Sequence, residues 1–341
     1  MGGTGLADLW ESKLKREGWS PKAIKQSEAA LATSTRRAYD NALNRCRIFS
    51  CEKGIEYPPQ KTGDLAEYIC HLAETASRPQ SVVNTFLSAL KQVFRAKGLP
   101  DISENHTIKR LVTAVTKSQT EKAMTRSTVL PVKTIVESIR LWGENGNLPI
   151  KQLRIKTISL LAIAMMLRPS DVAPNATFFD KESKDEKKII FSTDMLVFKD
   201  NGVEVTLFGT KNDLARKGFV VFLPEHSDKA IDPVHTLQVY LDRTARFRRN
   251  NAVFISVNAP FGALSSSAVA KDLQDCIDLC GLKGAGFTAK SFRPTGATVA
   301  IEKGTDPKMV QTVGRWKSTE VFYDHYVHCK TSKDFTSKIL S

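Results

Sequence analysis

From Leu153 to Leu167 the chain is nearly all apolar from Ile158 onward. A helix that is hydrophobic on every face has to be enclosed, so other elements must pack around this one. The stretch then stops abruptly at Leu167-Arg168-Pro169-Ser170-Asp171. The residue before a proline is pushed out of the helical region, whereas proline itself suits the first turn of a new helix. Arg168 therefore stands at a corner beside the core. An arginine there can cap the C-terminus of the helix, pair with Asp171, or serve a site.

A second stretch, Phe287 to Cys329, gathers chemically useful side chains. Lys290, Arg293, Trp316, Tyr323 and Tyr326 fall within it, and two Pro/Gly-marked breaks divide it into short helices. Such a set suits phosphate. A tyrosine hydroxyl, with a reference pKa near ~10, is a poor nucleophile at neutral pH unless cations stabilise the phenolate and the phosphorane that its attack forms. Arginine meets that need, because its planar fork donates two parallel hydrogen bonds and stays charged. Arg293 is read as the one fork of this segment, and a second arginine is sought elsewhere in the chain.

At 341 residues the chain is long enough for two domains, each with its own core. Lys and Arg number 50 against 36 Asp and Glu, a net charge of +14, which favours a polyanionic partner. The six cysteines show no disulfide framework and are expected to be reduced packing residues. Cys-x2-Cys and paired histidines at zinc spacing are absent, so no metal is expected. With no apolar leader and no long uncharged apolar run, the chain is expected to be intracellular and neither secreted nor membrane-spanning.

In chain order, residues 1–26 read as a flexible basic arm, 27–117 as a helical domain, 118–130 as a linker, and 131–329 as a second domain with a tail, 330–341. Within the helical domain, residues 81–97 form the clearest helix. Ser81 is placed as its N-cap, Val82, Phe86, Leu90 and Phe94 as its apolar stripe, and Gly98 as its end. Arg36, Arg37, Arg45, Lys91 and Arg95 supply this domain's basic surface. In the second domain, alternating segments at Met195–Phe198, Val203–Phe208 and Phe219–Leu223 predict strands, with Lys211 in the turn between the last two. A helix from Val234 to about Phe247 carries Arg243 and Arg246 at its end, either as a solvated face or as phosphate contacts.

Lys-x-x-Arg, then Gly-Arg-Trp, then Tyr-Val-His resembles the C-terminal boxes of the tyrosine recombinases, the phage-type integrases and the crypton-like enzymes of eukaryotic mobile elements. The string LLAIAMMLRPSDVA resembles the family's first box, an arginine followed three residues on by an acid that orients it. The resemblance implies a mainly α fold with a small antiparallel sheet in an α+β catalytic domain. A helical DNA-binding domain precedes it, and the two form a C-shaped clamp on double-stranded DNA. It assigns Arg168, Lys211, Lys290, Arg293, Trp316 and Tyr326 to catalysis, with Asp171 in support and Lys217 as an alternative to Lys211. Periodicity does not separate Tyr323 from Tyr326, which are three apart on one face; the Tyr-x-His ending favours Tyr326.

Lys290 departs from the family's usual histidine, offering a permanent cation that is a poorer base at neutral pH. Trp316 can donate from its indole but cannot transfer a proton, and a plain core tryptophan is its alternative. The implied reaction is transesterification. Two arginines hold the scissile phosphate, Tyr326 attacks to form a 3′-phosphotyrosyl bond, and Lys211 protonates the leaving 5′-oxygen, with no cofactor, metal or ATP. Competing readings are a type IB topoisomerase-like enzyme and a DNA-binding protein that has stopped cutting. The resemblance further implies a homotetramer on paired sites, with Phe335, Ile339 and Leu340 of the tail docking on a neighbour or folding back, and a location in the nucleus of a eukaryote or in the cytoplasm or nucleoid of a prokaryote.

Overall fold

A computed structural model of the chain describes residues 5–28, 30–118, 128–174, 177–179, 186–188, 191–208, 213 and 217–326. The chain divides into two compact units, Met1–Met124 and Thr125–Ser341. The division falls within the expected linker, of which 119–127 lie outside the described residues.

The described residues of the first unit form six α-helices, α1 (Leu6–Arg16), α2 (Pro21–Glu28), α3 (Thr33–Lys53), α4 (Thr62–Thr75), α5 (Pro79–Lys97) and α6 (His106–Lys117). Helix α5 is central because it is apolar on two faces. Val83, Phe86, Leu90 and Phe94 pack with Tyr68 and Ile69 of α4 and Ile108 of α6, whereas Ala89 and Val93 pack with Leu6 of α1 and Leu43 of α3. Burying each large side chain of that set contributes roughly 1.5–3 kcal/mol. The helix begins two residues earlier than Ser81, since Pro79 occupies the first helical position, where its missing N–H costs nothing. Gly98 ends it in a left-handed conformation, φ 67°.

Residues 1–26 are not a free arm over their described part. Leu6, Trp10 and Leu14 recur every four residues and give α1 an apolar edge, and Leu6 and Leu14 are buried. The Leu6 N–H donates to Asp40 (3.0 Å) and Lys13 Nζ to the Arg95 carbonyl (2.8 Å), so the basic residues of this segment coat a docked helix. That edge was obscured by Lys13, Lys15 and Arg16 lying between and after its apolar members.

The second unit is organised around α8 (Ile150–Ala164), the all-apolar stretch of the sequence. It is enclosed by α7 (Val132–Leu141), α9 (Pro233–Thr244), α10 (Ser266–Leu279) and α11 (Phe292–Glu302) in one continuous core. Four polar side chains of α8, Arg154, Lys156, Thr157 and Ser159, are buried too. Arg154 makes a bidentate pair with Asp272 on α10 (2.7 and 3.0 Å) and donates to the Ile255 carbonyl (2.9 Å). Strands β1 (Thr177–Phe179) and β2 (Glu186–Lys188) form an antiparallel pair, and β3 (Leu196–Lys199), β4 (Gly202–Leu207) and β5 (Phe219–Pro224) form a three-stranded antiparallel sheet. Val203 faces Leu223, Val205 faces Val221 and Leu207 faces Phe219, so alternate residues of β4 and β5 line the core. The chain thus has the expected mainly α fold with a small antiparallel sheet.

Two short helices, α12 (Pro307–Val313) and α13 (Thr319–Tyr326), complete the unit, closing a smaller cluster of Met166, Ala297, Val310, Trp316 and Phe322 against α11. Helix α11 lies so close to α8 that a Cβ on Gly296 would overlap the Ile163 carbonyl oxygen. No helix among the described residues is long and apolar enough to cross a membrane.

Candidate active site

Helix α8 ends at Ala164, three residues short of the apolar run, because Met166 turns into the left-handed region (φ 50°). Arg168 follows in extended backbone (φ −90°, ψ 153°) and leads into a single 3-10 turn, Pro169–Asp171. This is the corner that Arg-Pro requires. Asp171 is 3 % exposed, and its Oδ2 accepts the backbone N–H of Arg168 at 2.9 Å. The acid therefore orients Arg168 through the main chain. Arg168 Nη1 is buried without an acceptor, and so is the second oxygen of Asp171 without a donor.

Arg293, in the first turn of α11, is 3 % exposed. One terminal nitrogen donates to the Met166 carbonyl and the other to the Gly314 carbonyl, so this guanidinium ties the turn before Arg168 to the turn before Trp316. Its plane lies under two rings, 4.1 Å from the centroid of Trp316 and 5.4 Å from that of Tyr326. Its Nε–H is buried without an acceptor. Burial, and then the like charges of Arg168 and Arg315, pull its pKa below the usual arginine value. That downward pull marks a site with positive charge in excess, favourable for an anion.

Trp316 is 6 % exposed, its ring 4.8 Å from Tyr326 and 4.9 Å from Phe322, and its indole N–H is buried without an acceptor. The indole folds back over Gly314, where any Cβ would overlap it. Tyr326 closes α13, half-buried against this cluster, and its carbonyl accepts from Thr298 at 3.1 Å. Tyr323 is 45 % exposed, turned from the arginines toward Phe322 at 5.1 Å. Burial therefore separates two tyrosines that periodicity left equivalent.

Lys290 sits in the 3-10 turn that precedes α11, with its side chain exposed. Lys211 lies outside the described residues. Lys217, the alternative, is exposed in the turn before β5, where its N–H and that of Gly218 donate to the Asp213 carboxylate (2.9 and 3.1 Å).

Reading the sequence missed a second fork inside the same segment. Arg315 is buried in a left-handed conformation (φ 60°), donating from Nη2 to Asp171 at 2.9 Å and from Nη1 to the Val313 carbonyl at 3.1 Å. The ion pair open to Asp171 is thus made by Arg315. The one sequence signal was its place in Gly-Arg-Trp.

The proposed DNA-contacting residues divide. Arg37, Arg45, Arg95 and Arg246 are exposed. Arg36 donates to the Glu28 carbonyl (2.6 Å), and Lys91 pairs with Glu104 and Asp101. Arg243 donates from Nη1 to the carbonyls of Asn145 (2.8 Å) and Leu148 (2.6 Å), clamping the loop between α7 and α8. Among the described residues no group of three or more His, Cys, Asp or Glu is placed to hold a metal ion.

No protein-family model matches the chain, and no curated protein does. Solved structures do. A XerH site-specific recombinase bound to difH substrate aligns over 94 % of this chain and 82 % of its own, with TM-score 0.60 and 14 % identity. A lambda integrase dimer bound to a COC′ core site aligns over 93 % and 94 %, with TM-score 0.54 and 16 % identity. The Tn1549 transposon integrase in complex with circular intermediate DNA aligns over 99 % and 100 %, with TM-score 0.54 and 12 % identity. This chain shares their fold.

Proposed function

We propose that the chain is a site-specific DNA recombinase or integrase that cuts and rejoins double-stranded DNA through a 3′-phosphotyrosyl intermediate. One observation carries the reading. Arg168 Nη1, Arg293 Nε and Trp316 Nε1 are all buried donors without acceptors; Arg293 stacks on Trp316 and Tyr326, and the charge of Arg168 acts on it. An unsatisfied buried donor costs roughly 1–3 kcal/mol, so three such donors, two of them on guanidiniums, favour binding of an anion. The non-bridging oxygens of a phosphodiester fit that need, as do the basic balance of the chain and its fold.

In the reaction, Arg168 and Arg293 neutralise the scissile phosphate and Trp316 donates to one of its oxygens. Tyr326 loses its phenolic proton to solvent and attacks phosphorus, the 5′-oxygen departs, and the phosphodiester energy is kept in the new bond, so that a 5′-hydroxyl can reverse the step on another strand. Lys211 is proposed to protonate the leaving oxygen, and Lys290 to add charge and a donor at the cradle's edge. Assignment to the crypton-like branch rests on sequence resemblance alone.

The test is incubation with nicked suicide duplexes tiled across the DNA flanking the coding sequence, in EDTA. A covalent protein–DNA adduct is expected, absent in Tyr326→Phe, which should still bind DNA. Binding without any adduct would favour the reading in which the fold is kept for DNA recognition alone.

A further inference from the structure

Arg315 occupies a position that is expensive twice over. Its backbone lies in the left-handed region, where glycine is cheap and other residues are strained, and its side chain is 4 % exposed, so a guanidinium has been taken out of water. Strain at a buried charge persists where the surroundings need that side chain. What it serves is Asp171, whose Oδ2 has two hydrogen-bonding directions: one takes the Arg168 N–H and the other takes Arg315 Nη2, each at 2.9 Å.

Arg168 is the guanidinium with a buried terminal nitrogen lacking an acceptor, three residues from that carboxylate. An unneutralised Asp171 would draw the Arg168 guanidinium to itself, in competition with any phosphate. Arg315 removes that competition, and the same pair joins the Arg168 turn to the turn that carries Trp316. Lysine could not do both tasks, because a single nitrogen cannot donate to Asp171 and to the Val313 carbonyl in the geometry of a fork.

We propose that Arg315 is a positioning residue for strand transfer: by occupying Asp171 it keeps the Arg168 guanidinium free for the scissile phosphate and in register with Trp316. The inference rests on the strand-transfer reading above, and it assigns Arg315 no contact with DNA.

The test is a set of single-turnover adduct rates, measured with saturating protein on whichever nicked duplex of the flanking-DNA pool reacts, at a temperature where every variant is folded. Arg315→Met should lower the rate by about 30-fold or more, within the range for losing one preorganised donor. In an Arg168→Ala background the same change should cost less than about threefold, because its effect passes through Arg168. Arg315→Met with Asp171→Asn should recover about tenfold over Arg315→Met alone, since asparagine keeps an acceptor for the Arg168 N–H but not the competing charge. If Arg315→Met does not fold, Arg315→Lys takes its place in the same cycle. Losses that multiply with Arg168→Ala, or no recovery with Asp171→Asn, would overturn the proposal while leaving an active recombinase. A wild-type chain that forms no adduct on the pool would instead bring down the strand-transfer reading, and this inference with it.

Discussion

Arg168→Ala and Arg293→Ala should both slow strand transfer by orders of magnitude, about 3 kcal/mol or more each, yet they should differ in stability. Arg293 also holds the Met166 and Gly314 carbonyls, so its loss should lower stability by roughly 1–3 kcal/mol. Arg168 Nη1 is a buried donor with no acceptor, so removal of this side chain should leave the melting temperature nearly unchanged. Adduct rates beside thermal melts separate the two. A different residue governs pH dependence. Lys156 is fully buried in α8, its ammonium 3.5 Å from the Gly143 carbonyl, and burial lowers its pKa from 10.5 to about 8. A lysine whose folded value lies below its unfolded value costs stability. The cost is nil above about 10.5, grows as pH falls toward 8, and is complete below that. Lys156→Met should therefore stabilise the protein by roughly 1–3 kcal/mol at pH 7, with a gain that shrinks between pH 8 and 10.5; a constant gain, or none, would contradict the assignment. At this scale, what could be read from sequence was what is local. Arg168 announced itself through the proline after it. Arg315 did not, because its partner Asp171 lies 144 positions away and only folding brings them together.

The elements were legible where their signals were periodic and uninterrupted. The all-apolar run became the enclosed α8, and the alternating segments became β3 to β5 in register. Helix α1 was not legible, because three apolar residues at four-residue spacing are a thin signal among five charged ones between Leu6 and Arg16. The end of α8 was also misplaced, since the left-handed turn at Met166 is imposed by the residues it packs against in the cluster of Trp316 and Phe322. Close approach of α8 and α11 makes its own prediction. Gly296→Ala would gain helix propensity of about 1 kcal/mol but must push α11 away from the Ile163 carbonyl and the Met166 side chain. A net destabilisation of roughly 1–3 kcal/mol is expected. Because Arg293 is one turn earlier on the same helix and bonded to Met166, the adduct rate should fall further than stability does. A variant as stable and active as wild type would show that the helices are not held at this spacing.

For the whole molecule, the two compact units and the shared fold were accessible from length, charge and the order of the boxes, whereas assembly was not. The proposed tetramer on paired sites and the docking of residues 330–341 concern a tail outside the described residues. Truncation after Lys330 should leave binding to one DNA site near wild type while lowering recombination between two sites by about tenfold or more, as expected when a trans contact supplies effective concentration. Equal losses in both assays would assign the tail to the fold of its own chain. In the proposed reaction Tyr326 becomes covalently joined to DNA, and this step can be observed itself. It is tested most directly by trapping the adduct on a suicide duplex, digesting protein and DNA, and mapping the nucleotide-modified peptide by mass spectrometry. A nucleotide joined through its 3′-phosphate is expected on Tyr326, with Tyr323 unmodified. Modification of Tyr323, or a trapped complex that carries no phosphotyrosyl bond, would contradict it.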